Sequence, residues 1–233
     1  MSEGSAGEGS GGRNGSRSAY LGAGVLAAVA AVALAPASAS ADGPACTGWD
    51  VEYALNGQLK LADTMMGAAD GVYPIGPGKA VIHFDDRGGQ PAGHAKLTAY
   101  AIHEHVSITS KAVFLSATVV TDTNSRAAPD SAGVITEGNL ADHTLTWGGP
   151  VKSFKTDGTM TCEGSLCGKF GAPAPGSTAV HIGPRAFPPP PFQFAGDMKT
   201  FTMAFVQTAH DESPKQTTFE AVAGRETKRT CVP

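Results

Sequence analysis

Short runs rich in Val, Thr, Phe and Tyr, separated by clusters of Gly, Pro, Asn and Asp, recur along most of the chain. β-branched and aromatic residues are enriched in strands, and such clusters are typical of turns. No stretch has a convincing 3.6-residue apolar stripe, and the sole helix candidate is the short segment 63–70. The pattern predicts an all-β fold, an antiparallel β-sandwich or barrel with long Gly/Pro-rich loops. The predicted strand runs are 79–85, 95–108, 111–123, 133–147, 158–164, 178–183, 191–208 and 215–232.

The clearest local signal precedes these runs, in the segment WDVEYALNGQLKLADT, where apolar and polar residues alternate on both sides of Asn56-Gly57. Alternation at a period of two around an Asn-Gly pair is the strongest short-range signal of a β-hairpin. We therefore expect a hairpin that turns at Asn56-Gly57. The segment 65–79 that follows is so rich in Gly and Pro that we expect a long loop there.

The four cysteines predict a covalent frame for the fold. Four cysteines allow three pairings. Only EGSL separates Cys162 from Cys167, and Gly164 permits a tight turn there, while Cys46 and Cys231 lie near opposite ends of a domain whose termini are expected to be close in space. We predict the disulfides Cys46–Cys231 and Cys162–Cys167. A metal site built from these cysteines is the alternative, but the sequence has no C-x-x-C pair.

Residues 1–41 are typical of a cleaved signal peptide. A Gly/Ser-rich lead with Arg13 and Arg17 is followed by an uncharged, Ala-rich stretch at 21–34 and by ASASA, which ends at Ala41. The apolar stretch would be about 21 Å long as a helix, too short for a bilayer core of about 30 Å. We expect cleavage after Ala41; an uncleaved anchor is the alternative.

The rest of the chain, 42–233, is expected to be one exported β-domain, secreted or periplasmic and without a stable membrane span. Its cysteines fit the oxidising compartments in which disulfides persist. The whole chain carries 17 Lys and Arg against 21 Asp and Glu, a net charge of −4, and the charges are interspersed. An interspersed, weakly acidic surface argues against a nucleic-acid partner.

His103 and His105 lie two positions apart in the strand-like segment AYAIHEHVSI, which places both side chains on one face. A metal site needs a third ligand from a neighbouring strand. If the chain turns back at Thr109-Ser110, His103 faces Ser116 and His105 faces Phe114, neither of which is a metal ligand. We therefore expect no metal site here, and no cofactor.

The segment FPPPP, residues 187–191, resembles the core of the proline-rich ligands of actin-regulatory adaptor domains, in which an aromatic anchor precedes a short polyproline helix. The resemblance covers five residues and would imply a peptide ligand. The acidic residues that follow such ligands are replaced here by FQFAGD. We expect instead a rigid connector that lies on the core with Phe187 and Phe192 buried.

No catalytic residue is assigned from the sequence. Ser165 lacks the glycine spacing of a nucleophile elbow, and the His, Asp and Ser of segment 209–213 are too close in sequence to form a triad. Glu52, Glu104 and Glu137 fall in strand-like runs, and two of them would need to converge for glycoside hydrolysis.

The sequence therefore favours a non-catalytic, exported β-domain that binds a ligand, a glycan or an envelope protein through its long loops, such as 65–78 and 168–191. One alternative is an exported hydrolase that acts on a glycan or an ester. The other is a structural component of the envelope.

Overall fold

The structure, a computed structural model, describes residues 45–62, 70–169, 172–209 and 216–233. The predicted signal peptide 1–41, residues 63–69 of the helix candidate and the cluster at 210–213 lie outside the described residues. The prediction of a cleaved export signal therefore stays a prediction.

Within these ranges the chain forms antiparallel β-strands and no helix, as predicted. The strands are β1 (Gly48–Ala62), β2 (Gly71–Asp86), β3 (Pro91–Ala112), β4 (Leu115–Ala127), β5 (Thr136–Ala141), β6 (Thr144–Trp147), β7 (Val151–Glu163), β8 (Gly176–Phe187), β9 (Phe192–Phe194), β10 (Thr200–Ala209) and β11 (Gln216–Val232).

Eight of the eleven strands close into a ring. Their order is β2-β1-β11-β10-β9-β6-β5-β3, and β3 pairs with β2 to complete the circle. The long strand β3 pairs with two different strands along one edge. Its residues Gly93–Leu97 pair with β5, and its residues Tyr100–Ala112 pair with β4. β4, β7 and β8 continue outward from this second half of β3. We call the second half of β3 together with β4, β7 and β8 the side sheet.

Aromatic side chains fill the interior of the ring of eight strands. Phe192 and Phe201 stack with their ring centroids 4.6 Å apart, and Tyr53 packs edge-on against Phe201 at 5.1 Å. Phe194 joins both Tyr53 and Phe84 at 5.9 Å. The Tyr53 hydroxyl donates a hydrogen bond of 3.0 Å to the Met198 carbonyl, which satisfies its buried polar end. These aromatic side chains bury large apolar areas and account for much of the packing in the core.

A glycine next to this cluster is required by the ring of Phe201. Gly224 pairs directly with Phe201, and a Cβ added at Gly224 would overlap three atoms of that ring. Because Phe201 is held between Phe192 and Tyr53, its ring has little room to move. We expect Gly224→Ala to lower the free energy of unfolding by about 1 to 3 kcal/mol, the usual cost of overpacking a core.

Urea unfolding followed by tryptophan fluorescence measures this change. The matched control is Gly196→Ala, because a Cβ at Gly196 meets no atom within 4 Å. An equal loss of stability in the two variants would contradict the assigned packing.

Both predicted disulfides are present. Cys46, which precedes β1, is joined to Cys231 near the end of β11, with their Cα atoms 5.4 Å apart. Cys162 and Cys167 close the turn after β7 and pack with Ala117 in a small second core. Two disulfides are consistent with an extracellular or periplasmic location.

The predicted hairpin at Asn56-Gly57 is wrong. β1 runs straight through both residues, with Asn56 opposite Ala223 and Gly57 opposite Val222 of β11. On its other edge, the pairing with β2 shifts register between Leu55 and Gly57, which marks a bulge. Gly57 also lies so close to β11 that an added Cβ would overlap the Ala221 carbonyl oxygen. The Asn-Gly pair thus accommodates a bulge and a close approach of strands instead of a turn.

The prediction of two long loops that bind a ligand is also wrong in part. Residues 71–78 of the predicted loop 65–78 belong to β2, and its residues 65–69 lie outside the described residues. Of the predicted loop 168–191, residues 176–187 form β8, a strand at the free edge of the side sheet. The residues that can bind a ligand must therefore be sought on the strands.

Candidate functional site

A cavity of about 260 Å³ lies between the side sheet and strands β10 and β11 of the ring. The connector that follows β8 covers part of it. The lining residues are Leu97, Tyr100, Ile102, Glu104, Thr121, Thr123, Ser125, Ala127, Val151, Phe154, Thr156, Val180, Ile182, Arg185, Phe187, Pro189, Pro190, Phe192, Met203 and Glu220.

The innermost lining residues are apolar side chains of the main core. Leu97, Ile102, Val151, Phe192 and Met203 are almost fully buried and belong to the core cluster. Cavities with apolar walls and a few polar groups are the usual form of small-molecule sites, which have volumes of about 300 to 1,000 Å³. A cavity of 260 Å³ is therefore suited to a small ligand.

Three aromatic rings follow one another along one wall. The centroids of Tyr100 and Phe154 are 6.4 Å apart, and Phe154 stacks on Phe187 at 5.0 Å. Phe187 and Phe192, the two aromatic residues that flank the four prolines, both line the cavity, and Phe192 is buried while Phe187 is partly buried. The connector therefore lies on the core; the predicted burial is confirmed for Phe192, whereas Phe187 is buried only in part.

Glu104 projects into this apolar environment from β3. It lies on the inward face between Ile102 and Val106, at a position where the strand otherwise buries apolar residues. Ser125 donates a long hydrogen bond of 3.4 Å to Glu104 Oε1, and the Ser125 and Thr156 hydroxyls are 2.8 Å apart. Burial raises the pKa of Glu104 above its usual value, although the Ser125 hydrogen bond and the nearby His103 act in the opposite direction.

Glu220 enters the same cavity from β11, a strand that does not pair with β3. Its carboxylate accepts no hydrogen bond from another described residue. Burial, together with the negative charge of Glu104, raises the pKa of Glu220 to about 7. Perturbed carboxylates that share a cavity are a common property of functional sites.

Two hydroxyl groups in the cavity also have no hydrogen-bond partner among the described residues. Thr123 is only 3% exposed and lines the cavity from β4. Tyr100 lines the cavity from β3, and burial first and then the charges of Glu220 and Glu104 raise its pKa well above the usual range. A hydroxyl group that lines a cavity and has no intramolecular partner can form a hydrogen bond with a polar group of a ligand or with water.

Glu220 was not identified from the sequence, and the local pattern explains why. In the segment FEAVAG, Phe219 is the residue expected to face the core, but it is 37% exposed, and Glu220 shares the inward face with Val222. A Glu two residues before a buried Val is a weak signal for an internal carboxylate.

The other carboxylates considered from the sequence lie elsewhere. Glu52 forms an ion pair of 2.7 Å with Lys79, and Glu137 lies 3.6 Å from His94 on the exposed surface. Ser165 accepts a hydrogen bond of 3.2 Å from the backbone amide of Ser116. None of these residues lines the cavity.

The histidine pair has a partner that the predicted register did not include. His103 Nε2 lies 3.0 Å from one carboxylate oxygen of Asp122, and His105 Nδ1 lies 3.0 Å from the other. Hydrogen bonds from both imidazoles lower the pKa of Asp122. Among the described residues no group of three or more His, Cys, Asp or Glu side chains has the arrangement of a metal site.

The register differs from the prediction because the turn between β3 and β4 lies at Val113-Phe114 and not at Thr109-Ser110. Val113 and Phe114 are 93% and 95% exposed, and Val113 has a φ of 51°. A positive φ is rare for a β-branched residue, and the segment AVFL, residues 112–115, has none of the usual turn residues.

A second, wider depression of about 640 Å³ is lined by residues of β1, β10 and β11 and by the start of β9. Its lining includes Asn56, Gln58, Thr202 and Ala223, all exposed. No titratable side chain lines this depression, so it offers less chemistry than the cavity that contains Glu104 and Glu220.

The described part of the chain contains no helix with the length and apolarity of a membrane-spanning helix.

No protein-family model matches the chain, and no curated protein or solved structure is significantly similar to it.

Proposed function

We propose that this protein is a non-catalytic binding domain of an extracellular or periplasmic compartment that holds a small, mainly apolar molecule in the cavity between the side sheet and the ring. One observation carries the proposal: the cavity reaches the core, so that Leu97, Val151 and Met203 line it although they are almost fully buried. An empty space lined by apolar residues costs stability, and a ligand of matching size recovers that loss.

The proposal predicts that filling the cavity prevents binding. Ala127 lines the cavity near the core, and we expect Ala127→Leu to weaken the binding of benzene or toluene by about tenfold, because the added atoms occupy the ligand's volume. Titrations followed by NMR chemical shifts of the lining residues measure the affinity. Thr121→Leu serves as a second filling variant if Ala127→Leu does not fold.

The matched control is Ala101→Leu, which adds the same atoms on the exposed face of β3. Its affinity for the apolar probes is expected to equal that of the unmodified protein. If neither filling variant changes the affinity, or if no apolar probe shifts the signals of the cavity, the proposal is wrong.

A second candidate function is hydrolysis of a glycan or an ester. The observation that favours it is the presence of two carboxylates, Glu104 and Glu220, in one cavity, since a pair of carboxyl groups with different pKa values performs acid–base catalysis in glycosidases. The largely apolar walls and the small volume fit a sugar less well than an apolar ligand. Turnover of an aryl glycoside or aryl ester that is lost in Glu220→Gln would favour the hydrolase.

A further inference from the structure

We propose that the ligand carries a protonated amino group, which the cavity binds between the carboxylates of Glu104 and Glu220. This inference rests on the proposed binding function and specifies the chemistry of its ligand. It follows from the polar groups that line a mainly apolar space: two carboxylates from strands that do not pair, and hydroxyl groups that include those of Thr123 and Tyr100.

The charges in the cavity favour a cation over an anion or a neutral molecule. Tyr100, Glu104, Arg185 and Glu220 are the titratable or charged groups among its lining residues, and Arg185 is an exposed residue of the edge strand β8. None of the ion pairs between described residues involves Glu104 or Glu220. The positive charge of His103, on the opposite face of β3, acts on Glu104 without forming an ion pair with it. Two uncompensated carboxylates in an apolar space are costly, and a bound cation removes that cost.

The hydrogen-bonding capacity of the site also fits an ammonium group. Ionised carboxylates only accept hydrogen bonds, whereas an ammonium group is a donor of up to three. Thr123 is only 3% exposed, and its hydroxyl group has no hydrogen-bond partner among the described residues, so this group is available as a further acceptor. Hydrogen bonds between charged donors and acceptors are about twice as strong as neutral ones.

The walls select an organic amine over a metal ion. A divalent cation such as Ca²⁺ needs about six to eight oxygen ligands. Among the described residues no group of three or more His, Cys, Asp or Glu side chains could hold a metal ion, and the aromatic rings of Tyr100, Phe154 and Phe187 line the cavity instead. Aromatic rings attract organic cations and also pack against an apolar body. A single ring or a short alkyl chain that bears one amino group matches both the size and the chemistry of the cavity.

The test compares amines with neutral molecules of nearly the same shape. Isothermal titration calorimetry at pH 8 measures 2-phenylethylamine against 2-phenylethanol, and n-hexylamine against n-hexanol. We expect each amine to bind at least about tenfold more tightly than its alcohol, because a charge-assisted hydrogen bond contributes about 1.5 to 3 kcal/mol. Amine binding at pH 7 is also expected to release protons as Glu220 ionises, so that the measured heat depends on the buffer.

The variant Glu220→Gln is expected to weaken amine binding by about tenfold or more and to leave alcohol binding nearly unchanged. Glu137→Gln, which removes an exposed carboxylate outside the cavity, is expected to change neither. Equal binding of amine and alcohol, or amine binding that Glu220→Gln does not affect, would overturn the amine inference and leave the proposed binding function intact. If neither the amines nor the alcohols bind, both the amine inference and the proposed binding function are wrong.

Discussion

Replacing Cys46 and Cys231 together by alanine is expected to lower the free energy of unfolding by up to about 5 kcal/mol, because the bridge closes most of the domain into one loop. The two cysteines are 185 residues apart in sequence. In the chain-entropy description, a cross-link over such a distance removes much of the conformational freedom of the unfolded chain. A loss of this size is a large part of the stability of a typical domain, about 5 to 15 kcal/mol.

The folded state itself should change little in this variant. β1 and β11 pair from Gly48 opposite Val232 to Ala62 opposite Thr217, so backbone hydrogen bonds hold the two strands together beside the missing bridge. The effect is therefore expected in the unfolded state. Urea unfolding should show a steeper dependence of the unfolding free energy on urea concentration, because the unfolded chain without the cross-link exposes more surface.

The matched control replaces Cys162 and Cys167 by alanine. These residues are only 5 apart, so the entropic loss is expected to be about 2 kcal/mol, and the slope with urea should stay nearly constant. If the control loses more stability than the variant at Cys46 and Cys231, the long loop is not the main source of the stabilisation.

The fold class was predictable because alternation, β-branched residues and turn clusters all indicated strands. The number of strands and their closure into a ring were not. β3 is 22 residues long and exchanges one neighbour for another along the same edge, from β5 at Gly93–Leu97 to β4 at Tyr100–Ala112. The local sequence of a strand does not predict such a change of pairing partner, because the pairing register depends on residues that are distant in sequence.

The errors in turn prediction have a common physical cause. Asn56-Gly57 has the composition of a tight turn but lies in a continuous strand, and Val113-Phe114 lacks that composition but forms the turn between β3 and β4. Turn composition reflects only the local backbone preference. Pairing along 15 residues between β1 and β11 outweighs the preference of one dipeptide.

The candidate site could be predicted only in part. Glu104 was identified as a strand carboxylate, and its neighbours Ile102 and Val106 show that it lies on the buried face. Its partner Glu220 comes from a strand more than a hundred residues later, with an exposed Phe219 beside it. Convergence of this kind depends on the closure of the ring, which the local pattern does not record.

Replacing Glu220 by glutamine is expected to make the protein without ligand more stable at pH 8. The pKa of Glu220 is raised from 4.5 to about 7 by burial and by the charge of Glu104. Between these two values the unfolded state has released the proton from this carboxyl group, while the folded state still holds it. The contribution of Glu220 to stability is therefore fully present below pH 4.5 and is lost as the pH rises through 7.

The size of this effect follows from the same two values. A pKa rise from 4.5 to about 7 corresponds to at most about 3 kcal/mol of stability lost between acid and alkaline pH. Glutamine has nearly the same shape and does not ionise. The difference in unfolding free energy between Glu220→Gln and the unmodified protein is expected to grow from pH 4.5 to pH 7 and to stay constant above it. Urea unfolding at a series of pH values gives this difference directly, and other titrating groups cancel in it.

Glu104→Gln distinguishes burial from charge repulsion as the source of this cost. Without the charge of Glu104 the pKa of Glu220 is expected to fall but to remain raised, because burial is the larger cause. The pH dependence should then become weaker without disappearing, whereas Glu137→Gln should leave it unchanged. A Glu220→Gln variant that is less stable than the unmodified protein at pH 8 would contradict the assignment. If the variant is more stable and also binds amines poorly, Glu220 lowers the stability of the empty protein in order to bind a cation, a balance typical of functional residues.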